Sequence, residues 1–131
     1  MLTDLRIVLP NRAGAVTAIC DALAKADINI EGVRGDLRPG ERWGFVHIVV
    51  EAAADARRII EETGYEVTTA RPVEMVPIKN EPGELARILR DYSDRGVSID
   101  VLYIASGDRL VISTEDMLEH RIGVNIQDAR T

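Results

Sequence analysis

Two short loops hold the residue types that can grip a small ligand: Asn11-Arg12-Ala13-Gly14 and Asn80-Glu81-Pro82-Gly83. Each precedes a helical pattern. A loop entering a helix offers unpaired backbone N–H groups and the positive end of the helix dipole. Gly14 and Gly83 carry no Cβ, so a carboxylate can approach the backbone there. Asn11 and Asn80 add side-chain oxygens that accept from an ammonium group. The plainer alternative is that the asparagines cap the helices and the glycines turn the chain.

The loops belong to a longer repeat. A constant offset of 69, from 11 to 80, also maps Val16 onto Leu85, Ile19 onto Ile88, Leu23 onto Tyr92 and Ile28-Asn29-Ile30 onto Val97-Ser98-Ile99. A matched loop, helix and strand without a gap indicates internal duplication. The 131 residues therefore divide into two units, 1–71 and 72–131. Units of roughly 60 to 70 residues bury a modest fraction of their surface, so the copies are expected to lean on each other or on a second chain.

The elements that position the loops follow from apolar periodicity. Leu5 to Leu9 is β-prone and is ended by Pro10. Gly14 to Ala26 has a helical stripe at Val16, Ile19, Cys20, Leu23 and Ala26. Ile28 to Val33 reads as a strand, Gly35 to Arg42 as a turn and Trp43 to Val50 as a buried strand. A helix over 52–63, capped by Gly64, and a strand over 65–70 complete a β-α-β-β-α-β order. The second copy repeats it with a strand at 73–78 and a helix at 82–95. Strands at 97–105 and 109–113 then pair across Ser106-Gly107-Asp108. This copy is shortened, keeping a helix at 115–121 and a strand stub at 123–126.

The expected class is α+β, two ferredoxin-like βαββαβ repeats joined by a linker around Arg71-Pro72. Their sheets are expected to meet edge to edge through the second strands, with helices on one face. The other face would carry Val8, Val33 and Met75 beside Arg6 and Glu31, a mixture that suits burial against another subunit and predicts a homodimer.

Composition narrows the function classes. The formal charge is −6 and the basic residues are scattered, which argues against nucleic-acid binding. No apolar stretch is long enough to span a bilayer and no leader pattern opens the chain, so a cytoplasmic protein without membrane contact is expected. Cys20, the single cysteine, lies on an apolar stripe and reads as a buried thiol. His47 reads as a packed or hydrogen-bonded histidine, and His120 as a surface one. Neither metal-ligand spacing nor a phosphate, dinucleotide or nucleophile-elbow motif is present, so no cofactor, metal or catalytic activity is expected. Trp43 borders the hairpin, where it would either line a site or pack an oligomer seam, and packing is the expectation.

Asn80-Glu81-Pro82-Gly83-Glu84-Leu85-Ala86 and Ala26-Asp27-Ile28-Asn29-Ile30 resemble the ACT domain, a small ligand-binding module often found in proteins regulated by amino acids. The resemblance covers nearly the whole chain as a tandem pair. Copy one departs from it at Ala13, where the family favours Pro, and copy two at Ser98, where it favours Asn. The resemblance implies that ligands bind where the loop meets the second strand of an adjacent copy. Asn11, Gly14 and Ala15 would hold the ligand in copy one, and Asn80, Gly83, Glu84 and Leu85 in copy two. Asn29, Ile30, Ser98 and Ile99 would form the opposite wall. Glu84 would either repel a ligand carboxylate or pair with its ammonium. The function implied is non-catalytic, regulatory binding of a free amino acid, with output through a separate partner enzyme. The alternative is a ligand-free interaction or oligomerisation module that acts on such an enzyme. A nucleotide effector is disfavoured by the lack of a basic loop, and a small ferredoxin-like enzyme by the lack of a polar cluster.

Overall fold

Alternation decides which side of the first strand is buried against helices. In a computed structural model that describes residues 1–119, Leu5, Ile7 and Leu9 of β1 (Thr3–Pro10) all face one side. They pack there on Ile19 and Leu23 of α1 (Ala15–Lys25) and on Ala56 and Ile60 of α2 (Ala53–Glu62). Val46, Ile48 and Val50 of β3 (Trp43–Val50) complete this core. Each such side chain stabilises the fold by about 1.5–3 kcal/mol relative to exposure. With β2 (Gly32–Asp36) and β4 (Glu66–Pro72), the sheet has the order β2-β3-β1-β4, all antiparallel.

The second repeat builds β5 (Glu74–Pro77), α3 (Glu84–Asp94), β6 (Ile99–Ala105), β7 (Arg109–Thr114) and the short α4 (Glu115–Glu119). Its sheet has the order β5-β7-β6. Central β7 is buried on both faces. Leu110 and Ile112 pack with Ile88 of α3, while Val111 packs with Val101 of β6 and Val49 of the first repeat. This is the expected α+β architecture of two ferredoxin-like repeats, with Glu115–Glu119 as the described part of the second repeat's second helix. The strand stub expected at 123–126 lies outside the described residues. No helix among the described residues is long and apolar enough to cross a membrane.

The seam between the repeats differs from the expectation. The second strands, β2 and β6, do meet, but they share no ladder, and the two sheets remain separately hydrogen-bonded. Contact is made by faces. The side of the first sheet carrying Asp4, Gly32 and Val49 lies against Val101, Tyr103, Ala105 and Val111 of the second. Both buried faces are therefore used within one chain, which removes part of the surface that the sequence reading reserved for a second subunit. The Arg71-Pro72 linker is also absorbed. It ends β4, and only Val73 separates it from β5.

The second strand starts later than its apolar run suggests. Asp27 has a positive φ of 57°, and the Ile28 amide closes back on the Leu23 carbonyl at 2.9 Å. Ile28 and Ile30 turn into the first core from irregular backbone, and the ladder begins only at Gly32.

At Gly32 the two sheets approach closely. A Cβ built there would stand 2.9 Å from the Ala105 Cβ, an atom with no rotamer by which to move away. Gly32→Ala should therefore cost about 1–3 kcal/mol through overpacking. Urea unfolding measures this, and an unchanged midpoint would show that the sheets are not tightly packed at this point.

Candidate functional site

The two loops form alike. Gly14 and Gly83 are the helix N-caps, at φ 88° and 85°, a left-handed conformation that glycine adopts without strain. Neither helix has a side-chain cap. The amides of Ala15 and Glu84 close onto the carbonyls of Arg12 and Glu81. Those of Val16 and Thr17, and of Leu85 and Ala86, make no such bond among the described residues. A Cβ placed on either glycine would meet nothing within 4 Å. Each helix thus begins with open donors beneath clear space, suited to an anion.

The asparagines do not cap these helices. Asn11 donates through Nδ2 to the carbonyls of Arg38 (2.6 Å) and Glu41 (3.0 Å), and its own amide reaches the Arg42 carbonyl. It clasps the β2–β3 hairpin to the first loop, leaving its Oδ1 as the free acceptor. Asn80 is exposed and makes no hydrogen bond among the described residues.

The equivalent first helical residues differ most. Ala15 is buried in the first core. Glu84 instead receives two bonds from the Arg87 guanidinium, at 2.9 and 3.1 Å. The Arg87 bonds, helped by the Lys79 backbone amide, hold its carboxyl below the usual range. Loop two therefore carries its own carboxylate, and loop one carries none. Leu85 is partly exposed beside it.

Of the expected walls, Ile30 packs on the first core at the Asp4–Val49 end of the sheet, whereas loop one follows Pro10 at the opposite end of β1, so loop and wall do not come together within repeat one. Asn29 is exposed and bonds Glu31. Ile99 joins the core of the second repeat, and Ser98 is exposed. No hydrogen bond or apolar cluster among the described residues joins the loop of one repeat to the wall of the other. Where the repeats do meet near a wall, Glu31 accepts from Arg109 and Ser106.

The sequence reading missed the polar centre of the seam. Asp4 is fully buried, with Tyr103 Oη 2.6 Å from one oxygen and His47 Nδ1 2.8 Å from the other. An ionised carboxylate only accepts, so His47 Nδ1 carries the proton. The sole sequence signal is a lone Asp within an apolar strand; its tyrosine lies 99 residues away. Arg71 adds a second link, to Asp100 at 2.6 Å. No cluster of His, Cys, Asp or Glu able to hold a metal occurs among the described residues.

The sequence matches the ACT domain pair model over residues 1–127. The chain belongs to the ACT domain pair family. Among solved structures, this ACT pair is similar to protein BT0572 from Bacteroides thetaiotaomicron, with TM-score 0.73 and 26% identity over 88% of this chain and 80% of that one. It also shares its fold with the ligand-free regulatory subunit of aspartate kinase from Thermus thermophilus, at TM-score 0.68 and 18% identity over 86% and 82% of the two chains. The corresponding subunit from Thermus flavus gives 0.63 and 17%, with the same coverage. No curated protein matches the sequence.

Burial and the adjacent Asp4 carboxylate push the Tyr103 phenol well above its ordinary value. A pKa raised by folding gives stability that is complete below the unfolded value, about 10 for tyrosine, and that falls as pH rises past it. Tyr103→Phe leaves a buried carboxylate one donor short, so it should lose about 1–3 kcal/mol at neutral pH. It should also lose stability less steeply than the wild type above about pH 10. Urea melts across that range test both, and parallel pH curves would refute the buried bond.

Proposed function

We propose that this ACT pair is a non-catalytic regulatory protein of the cytoplasm that binds a free amino acid at the entrance of α1. It acts as a homodimer and passes its state to a separate enzyme. The observation that carries the reading is the open helix entrance of loop one. There Gly14 is left-handed, the Val16 and Thr17 amides make no backbone bond among the described residues, and nothing lies within 4 Å of a Cβ placed on Gly14. The ligand carboxylate takes these amides. Its ammonium takes the Asn11 oxygen. The Thermus neighbours, named as regulatory subunits of aspartate kinase, support an output through a partner enzyme.

Loop two, with Asn80, Gly83, Glu84, Leu85, Ser98 and Ile99, is the weaker site. The Glu84 carboxylate repels a second carboxylate at that helix entrance, so one ligand binds per chain. Asn29 touches Glu31, which Arg109 and Ser106 of the second repeat also hold. That contact lies at the opposite end of β1 from loop one, so Asn29 adjoins the seam and not the helix entrance.

A thermal-shift screen against the twenty amino acids should give a selective rise. At a hundredfold excess over Kd the stabilisation is about 2.7 kcal/mol. Gly14→Ala should abolish the rise measured from its own unliganded baseline. A flat screen would retire the sensor reading in favour of the ligand-free interaction module.

Calorimetric titration of the amino acid that screen identifies should find one site in the wild type and two in Glu84→Gln. Two sites already in the wild type would show that Glu84 does not close loop two.

A further inference from the structure

We propose that the uncovered half of the first sheet's outer face is a self-association surface, and that its occupant is the same half-face of a second copy of this chain. Strand pairing sorts this face into rows. Asp4, Val49 and Gly32 form one, Arg6, His47 and Arg34 the next, then Val8, Phe45 and Asp36, and last Pro10 and Trp43. The first row is sealed by the second repeat, with Asp4 and Val49 at 0% exposure. The last row is open, with Trp43 at 57%. The open half therefore continues an existing sheet-on-sheet interface past the point where the second repeat ends.

The chemistry of this half suits protein contact. It gathers the chain's single tryptophan and single phenylalanine, and the Arg6 guanidinium lies 3.6 Å over the Phe45 ring. Aromatic and arginine side chains dominate the anchors of protein interfaces. Beside the projecting Trp43 lies a cavity of about 300 Å3, lined also by Asp36, Arg38, Glu41 and Phe45. Projection and hollow sit side by side on one surface. A twofold contact puts each against its counterpart, since an isologous interface uses one patch twice.

Charge selects the occupant. Around this half-face Arg6, Arg34 and Arg38 balance Asp36, Glu41 and Glu66, although the chain as a whole carries −6. Two copies of an acidic chain repel through most of their surfaces, and least where each is locally neutral with both signs present. The surface rests on the dimer part of the proposed function and not on ligand binding, so a flat amino-acid screen leaves it standing.

Sedimentation equilibrium of the whole chain, with Trp43 emission followed over the same dilution, provides the test. The wild type should dimerise at micromolar concentration, with emission moving to the blue as the ring is buried. Trp43→Ala should weaken the dimer at least about tenfold. Melted at a dilution where both proteins are monomeric, it should match the wild type closely, since the ring is more exposed than buried in the single chain. Arg34→Glu with Arg38→Glu makes the face acidic, and Asp36→Lys with Glu41→Lys makes it basic. Each double variant should be monomeric alone, and the two mixed should recover a dimer. A wild type that stays monomeric overturns the proposal. So does a dimer indifferent to Trp43→Ala and to both charge variants, because it would be built on another surface. A mixture that fails to recover the dimer overturns it as well.

Discussion

The carboxylate of Asp4 has no water to turn to, and that constraint orders much of the molecule. It is closed between two sheets with Tyr103 on one oxygen and His47 on the other. A buried charge is tolerated when its lone pairs are satisfied and is costly when they are not. The donors come from different repeats, so neither repeat can retain Asp4 as a satisfied group by itself. Around it Val49, Val73, Val101 and Val111 form an apolar ring that excludes solvent and would pack about as well in several registers. The polar bonds are directional and distinguish among them. The apolar cluster thus holds the repeats together, and Asp4 selects how they meet.

This packing explains why duplicated sequence does not give duplicated sites. Both loops keep the left-handed glycine and the uncapped helix, because the turn from strand to helix needs them. Beyond that the copies are free to diverge. In the first, position 15 is a core alanine under a complete pair of helices; in the second, the equivalent Glu84 stays at the surface and is engaged by Arg87. A carboxylate at a helix N-terminus is stabilised by the dipole, as an external ligand would be. One copy leaves its helix entrance without a carboxylate and the other places Glu84 there, engaged by Arg87.

Local features were legible in the sequence and long-range ones were not. The helical stripes through Ile19 and Leu23 and through Ile88 and Tyr92 place α1 and α3 to within two residues, since period reports which face is buried. The unbroken apolar run from Trp43 to Val50 is a central strand, as such runs are. Ile28 and Ile30 misled because alternation records burial, not pairing; they are buried by irregular backbone that Asp27 has already turned. Loop one was legible as a turn with open amides. The role of Asn11 was not, because its acceptors belong to a hairpin 27 to 30 residues further on. For the same reason Asp4 drew no attention, as a single carboxylate in a strand gives no hint of a tyrosine at the far end of the chain.

What such a molecule can transmit depends on where stiffness lies. The first repeat has a complete core under two helices, so a ligand at loop one meets a rigid floor in Ala15 and Ile19. At the opposite end of β1, the segment from Ile28 to Glu31 has only the Ile28 and Glu31 amides tied into backbone hydrogen bonds, so it can yield. Glu31 ends that segment, and Arg109 and Ser106 hold it from the second repeat. A displacement of that segment must therefore be absorbed at the seam. It cannot spread through the first core, which is close-packed and without slack. A ligand shifts such an equilibrium only by its difference in affinity for the two arrangements. Loop one lies away from that segment, so a difference arising at the loop has to reach the seam through the β2–β3 hairpin that Asn11 clasps.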